Sequence, residues 1–158
     1  MNIHFINEIL LILAVLSTGI VYGTDVFFAL IVKKAVKKSD DSSIADLIGW
    51  IHLIADKRMP PIGITSIISS VLFICLNGLT GTPGWLALTA VASLLGHLAI
   101  YLTFSKPINS DMSLAARDKI KLHNIRALQQ KWDSVISIRA ILLTIAMISL
   151  LSSITIHR

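Results

Sequence analysis

Cysteine is all but missing from this chain: Cys75 is the only one among 158 residues. A lone thiol cannot close an intramolecular disulfide, and it excludes a cysteine-based metal cluster held within one chain. It carries no information about compartment. Charge is scarce as well, at 15% of residues, and the acidic sign is the rarer, with nine Asp and Glu against fourteen Lys and Arg. Also missing are a Gly-rich phosphate loop after a strand, a nucleophile elbow, a zinc-protease histidine pair and a CxxC motif, so phosphoryl transfer and peptide hydrolysis have no support. No internal repeat or low-complexity segment divides the chain, and residues 1–158 read as a single domain.

What the chain has in excess is apolar surface. Hydrophobic residues make up 54% of it and the mean hydropathy is +0.78, too apolar for an ordinary soluble domain of this length. A bilayer core is crossed by about 20 mostly apolar residues. Four runs qualify: Ile9 to Val32, Ile62 to Leu79, Trp85 to Phe104 and Val135 to Ile156. The second is the shortest and is expected to borrow residues from its flanks. The first differs from a secretion signal in its length, in having no Lys or Arg before it, and in being followed by "KKAVKK". The fold expected is therefore an all-α membrane protein, a four-helix transmembrane bundle.

The sequence pI near 9.6 and formal charge of +5 raise the question of nucleic acid, but the distribution argues against it. Lys33, Lys34, Lys37, Lys38, Lys57 and Arg58 fall between spans one and two; Lys106, Arg117, Lys119, Lys121, Arg126 and Lys131 fall between spans three and four. Twelve of the fourteen basic residues thus lie on one side. The positive-inside rule makes that side cytoplasmic, in a bacterial inner membrane, with both termini and the "NGLTGTPG" turn outside. Contact with anionic lipid is a further use for the same charges.

Both basic connections contain helical patterns. Ile44, Leu47, Ile48 and Ile51 follow the spacing of an apolar stripe, and Ser43 with Asp46 fits a capping box, so a helix is expected to start near Ile44. Run unbroken to Leu79, it would measure roughly 54 Å at about 1.5 Å per residue, well beyond a hydrocarbon core of about 30 Å. Pro60 and Pro61 are expected to kink or restart it at the headgroup level, beside Lys57 and Arg58. Leu122, Ile125, Leu128 and Trp132 form a second stripe leading into span four. Two cytoplasmic helical extensions follow. In span one, Gly19 and Gly23 have the GxxxG spacing, and small residues recur in span three at Ala87, Ala90, Ser93 and Gly96. Tight packing within the bundle is the main reading of these positions and homodimerisation the minority one.

Ionisable side chains within a membrane face the bundle interior and have partners. Asp25 lies eight residues before Lys33, Arg139 eight after Lys131 and His97 nine before Lys106. At about 1.5 Å per residue all three fall roughly 12 to 14 Å from the basic belt, in one layer. Asp25 and Arg139 are expected to pair, with His97 beside them and Tyr101 one turn away on the same face. The bland alternative, glue between spans one and four, carries about even weight. His52 and Asp56 stand at i and i+4 on the juxtamembrane helix, which puts both side chains on one face. An interfacial hydrogen bond between them is the leading expectation; an oriented acid or base and a metal site are the others, the last needing a third ligand such as His97 or His123. His4, His157 and His123 read as solvated, and Trp50, Trp85 and Trp132 as interfacial anchors.

The order of motifs resembles the anthrone oxygenase-like family of small membrane proteins. The stretches concerned are "YGTDVFFAL" (Tyr22 to Leu30), "HLIADKRMPPIG" (His52 to Gly63), "KPIN" (Lys106 to Asn109) and "NIRALQQKWDSVISIR" (Asn124 to Arg139). The last two are the more diagnostic: the family shows a Pro-Ile-Asn turn, then a tryptophan with an arginine seven residues later, as Trp132 and Arg139 stand here. Many members carry a histidine between those two, where this chain has Ile136. The resemblance implies a four-helix membrane protein, with some fungal relatives oxidising anthrones to anthraquinones.

Three functions are weighed on this basis. The first is a membrane oxidoreductase of oxygenase-like type, acting without a cofactor on a small hydrophobic, phenolic or anthrone-like molecule. It needs a base to form a carbanion and a cation to stabilise the enolate. His52 or His97 is the base, Asp25 or Asp56 its orienting partner, and Arg139 the stabiliser, with Tyr22, Tyr101, Asn109 and Trp132 as substrate contacts. The second is a haem or metal protein using His52, His97 or both as ligands. The third is a non-enzymatic carrier or assembly partner.

Overall fold

The computed structural model describes residues 3–79 and 81–157. Four helices account for nearly all of them: α1 (Ile3–Val36), α2 (Asp41–Asn77), α3 (Thr82–Asp118) and α4 (Ile125–His157). Each is long and apolar enough to cross a membrane. Consecutive helices are joined by links of a few residues, which forces them antiparallel. Helix α1 packs on α2 and α4, and α3 packs on the same two, so the bundle is an up-down-up-down ring. The side chains of Asn7 and Asn77 hydrogen bond at 2.7 Å where α1 begins and α2 ends.

The links show how the chain turns. The cap of α2 is Asp40, whose carboxylate accepts from the Ser43 backbone N–H at 2.7 Å and from the Ser42 and Ser43 hydroxyls at 2.7 and 3.1 Å. The expected Ser43–Asp46 box is not formed, and α2 begins at Asp41 rather than near Ile44. Asp40 wins because its carboxylate reaches three donors at once, where a serine hydroxyl would meet one. On the same link Arg126 of α4 donates to the Val36 and Ser39 carbonyls and to Asp41, tying the end of α1 and the start of α2 to α4. Gly78 turns the chain after α2 with φ 68°, a conformation that favours glycine, and Gly84 packs against its carbonyl.

Of the two effects expected at Pro60 and Pro61, a kink or a restart, the restart does not occur: the helix continues through both from Gly49 to Asn77. Each proline removes one N–H and frees the carbonyl four residues earlier, those of Asp56 and Lys57. The flanking Lys57 and Arg58 are exposed, so the loss falls on a stretch open to its surroundings. The Lys106–Asn109 stretch, read as a turn, is also helical and lies within α3.

Departures from α geometry appear instead as π-helical turns at Phe28–Val32, Ile44–Ile48 and Tyr101–Ser105. In the first and third the closing N–H bonds reach back five residues, Lys33 to Phe28 and Lys106 to Tyr101. The consequence in α3 is a matter of register. Residues four apart drift by about 40° per step on an ideal helix of 3.6 residues per turn, and one wider turn sets that drift back. His97, Tyr101, Ser105 and Asn109 thereby all line or border the bundle interior.

Gly19 and Gly23 are not where helices meet closely: a Cβ on Gly23 would meet nothing within 4 Å, and one on Gly19 only the tip of Met147 at 3.9 Å. The close approach is at Gly49, where a Cβ would lie 2.5 Å from the Met112 carbonyl oxygen and 2.6 Å from Ala116 Cβ. Ala87, Ala90 and Ser93 are buried as expected of packing positions. The core forms two clusters. One, around Leu11, Phe73, Leu94, Leu143 and Leu150, fills the end of the bundle that holds the chain termini; the other, around Val36, Ile48, Met112, Trp132 and Ile136, fills the basic end. The polar layer lies between them.

Candidate functional site

Asp25, His97 and Arg139 come from α1, α3 and α4 and meet in the interior. Arg139 grips Asp25 with two parallel bonds, Nε to Oδ2 at 3.0 Å and Nη2 to Oδ1 at 2.9 Å. This is the bidentate arrangement that matches a planar guanidinium to a carboxylate. Both side chains are under a tenth exposed. Nη1 donates to the Ser105 hydroxyl at 2.7 Å. His97 Nε2 stands 3.1 Å from Asp25 Oδ2. The carboxylate only accepts, so the tautomer with its proton on Nε2 satisfies this contact and leaves the lone pair on Nδ1. The Arg139 guanidinium carbon also lies 5.7 Å from the Tyr101 ring centroid and 5.9 Å from that of Trp132, within cation–π range.

His52 and Asp56, expected to bond each other, do not. Asp56 Oδ1 accepts from Asn109 Nδ2 at 2.8 Å, and the Tyr101 hydroxyl reaches the same carboxylate. Asn109 Oδ1 in turn accepts from Trp132 Nε1 at 2.9 Å. Helix α3 thus captures Asp56 because the π-helical turn brings Asn109 round to face it. His52 is left 2% exposed, with its ring tilted against Trp132 at a centroid distance of 5.3 Å. Its Nε2 is buried and has no hydrogen-bond partner among the described residues. A buried polar atom without a partner costs about 1–3 kcal/mol, and such an atom is worth explaining by function.

These residues share one cavity of about 720 Å³, walled by all four helices. Its lining is mostly apolar, including Val21, Phe28, Ile51, Leu94 and Leu143. Its polar members include Asp25, His52, Asp56, His97, Tyr101, Asn109 and Arg139, with Trp132 beside them. A predominantly apolar cavity of several hundred Å³ with a few convergent polar groups is the usual form of a small-molecule site.

No known family, curated protein or solved structure matches the chain.

Of the nine residues given catalytic or substrate-contact roles from sequence, Tyr22 alone stays outside the cavity; it packs against the core cluster of Leu11 and Phe73. Trp132, expected as an interfacial anchor, is 5% exposed and belongs to the site, whereas Trp50 and Trp85 are exposed. His4 is exposed, His123 is exposed in the link after α3, and the His157 side chain lies outside the described residues. Among the described residues no group of three or more His, Cys, Asp or Glu side chains is disposed to hold a metal ion, and neither His97 nor His123 joins His52 and Asp56 as a third ligand.

Sequence reasoning missed five contributors: Ser105, which holds Arg139; Thr18 and Ser66, hydrogen bonded to each other at 2.5 Å on the cavity wall; and the lining cations Arg58 and Lys106. Ser105 carries no signal of its own. Arg58 and Lys106 were visible only as part of the basic belt.

Proposed function

We propose that the chain is an integral membrane oxidoreductase of oxygenase-like type, acting without a cofactor on a small hydrophobic, phenolic or anthrone-like molecule that enters from the bilayer. The observation that carries this reading is His52: an imidazole lining a large apolar cavity, with an unpartnered Nε2, among membrane-length helices. The resemblance to the anthrone oxygenase-like family supports the reaction class. The basic ends of the helices are then cytoplasmic extensions in a bacterial inner membrane, and both termini lie outside.

In this reading His52 takes a proton from an activated CH₂ group of the substrate. The carbanion gives its electrons to molecular oxygen. Over the whole reaction the CH₂ becomes a carbonyl, one oxygen atom stays on that carbon, and the other leaves as water with the two hydrogens. Arg139 stabilises the enolate. Three of its five N–H groups are engaged by Asp25 and Ser105, which leaves two for a substrate oxygen. Asp25 holds the guanidinium in place, and Asp56 orients Asn109 and Tyr101 rather than the base.

His97 is the weaker candidate for the base because its Nε2 faces Asp25 and Arg139. The test is oxygen consumption and anthraquinone absorbance with an anthrone in detergent. His52→Gln is expected to lower kcat by about 10²–10⁴, the usual contribution of a general base, while His97→Gln retains more activity. Full activity in His52→Gln refutes the assignment. A Soret band or stoichiometric metal in the purified protein, lost in the His52 or His97 variants, establishes the haem or metal reading in its place. Saturable binding of the anthrone without turnover establishes a carrier.

A further inference from the structure

Three features of the interior lie outside the chemistry just described: a buried Gln129–Asp133 pair, a run of buried hydroxyls along α2, and two cations on the cavity wall. The first two turn inward on the fold, although Gln129 Oε1 is buried without a hydrogen-bond partner among the described residues. Gln129 Nε2 donates to Asp133 Oδ1 at 2.9 Å, and the Ser70 hydroxyl donates to the Ser66 carbonyl at 2.9 Å. By contrast, Arg58 and Lys106 line the cavity and are exposed, and their side chains make no hydrogen bond or ion pair with any described residue.

The two acids of the cavity are already committed, Asp25 to Arg139 and Asp56 to Asn109 and Tyr101. Among the lining Arg, Lys and Asp side chains three cations stand against two anions, and the excess is carried by the exposed Arg58 and Lys106. Lys106 lies nine residues from His97 along α3, about 13 Å at ~1.5 Å per residue. Arg58 and Lys106 are exposed members of the lining and Asp25 and Arg139 buried ones, so the positive excess lies on the open side of the cavity and the ion pair on its closed side.

From this charge pattern we propose that the cavity takes an amphiphile with an acidic headgroup, a carboxylate or phosphate held by Arg58 and Lys106, its apolar body lying between His52 and His97. This rests on reading the cavity as a substrate site and narrows its substrate to an acid. Arg58 supplies a planar fork of donors and Lys106 a mobile point charge, and both recognise carboxylate and phosphate. The arrangement fixes orientation: the acidic end stays at the open side, so the opposite end of the molecule enters the polar layer.

The experiment measures binding of two fluorescent probes, anthracene-2-carboxylate and the neutral 2-methylanthracene, to the full-length protein in a nonionic detergent. Arg58→Gln and Lys106→Gln are each expected to weaken carboxylate binding about fivefold, the effect of one basic residue near a membrane surface. The neutral probe changes less than twofold. Lys38→Gln, exposed and away from the cavity, changes neither, and Arg58→Lys retains most of the carboxylate affinity, which separates loss of charge from loss of fold. Competition by phosphatidylglycerol at equimolar levels identifies the acid as a lipid headgroup; carboxylate binding without such competition identifies a soluble aromatic acid. Unchanged carboxylate affinity in both glutamine variants, or an equal loss in Lys38→Gln, overturns the proposal. Binding of the neutral probe alone overturns it while the hydrophobic site stands, and failure of both probes removes the site as well.

Discussion

Removing one member of the Asp25–Arg139 pair should cost far more than removing both. Arg139 is 7% exposed and directs three donors at Asp25 and Ser105. In Asp25→Asn the guanidinium keeps its charge but loses its only carboxylate, keeping the Ser105 hydroxyl, an amide and the Tyr101 and Trp132 rings. Stranding one charge of a buried pair costs about 3–5 kcal/mol. For a chain of this length each kcal/mol moves Tm by about 2–4 °C, so a fall of about 6–20 °C is expected in detergent. Arg139→Gln should be milder, because His97 remains 3.1 Å from the carboxylate and can donate to it. The double variant Asp25→Leu with Arg139→Met places apolar side chains of similar size there and should recover to within about 2 kcal/mol of the parent. The assay is thermal unfolding of the detergent-solubilised protein, read by loss of the monodisperse species on size exclusion. If the two single variants leave expression and Tm unchanged, or if the double variant is as unstable as their sum, the pair does not hold the bundle as described.

Two further outcomes follow from the links and the helix contacts. Asp40 is held near a pKa of about 2, below its ordinary 3.8, first by the Ser43 N–H and then by the Ser42 and Ser43 hydroxyls. A carboxyl lowered on folding stabilises fully above its unfolded value and loses that contribution as pH falls through the folded one. The Tm advantage of the parent over Asp40→Ala should therefore be constant well above pH 4 and shrink steadily as pH falls from about 4 through about 2, and a gap that does not shrink over that range refutes the carboxylate cap. Gly49→Ala should lower stability by about 1–3 kcal/mol through overpacking, since its Cβ meets the Met112 carbonyl, whereas Gly23→Ala should be neutral or stabilising. Equal Tm values for the two variants contradict that contact.

The four helices were legible because hydropathy over 18 residues or more is a strong signal and the bilayer thickness sets its length. The Asp25, His97 and Arg139 layer was legible for a related reason: helical rise is constant, so distance from the basic belt places a residue in depth. Rotation about the axis is less secure. The π-helical turn at Tyr101–Ser105 shifts the face of everything after it, and it brings Asn109 onto Asp56, which left His52 without the partner expected at i+4. The helix does not restart at Pro60 and Pro61 because proline's effect is local: two lost bonds do not end a helix of 37 residues otherwise held by packing. The glycine contact was missed at Gly49 because motif spacing cannot show which face of a helix a neighbour occupies.

The buried ion pair also has a consequence in time. Asp25 and Arg139 are 114 residues apart, so at about 5–20 residues per second synthesis separates them by roughly 6–23 s. Throughout that interval α1, α2 and α3 emerge with an acid that lacks its base, and only the last helix completes the neutral layer. A nascent chain truncated before α4 therefore presents the cell with an intramembrane carboxylate still without its counter-ion, a mark by which an unfinished copy differs from a finished one.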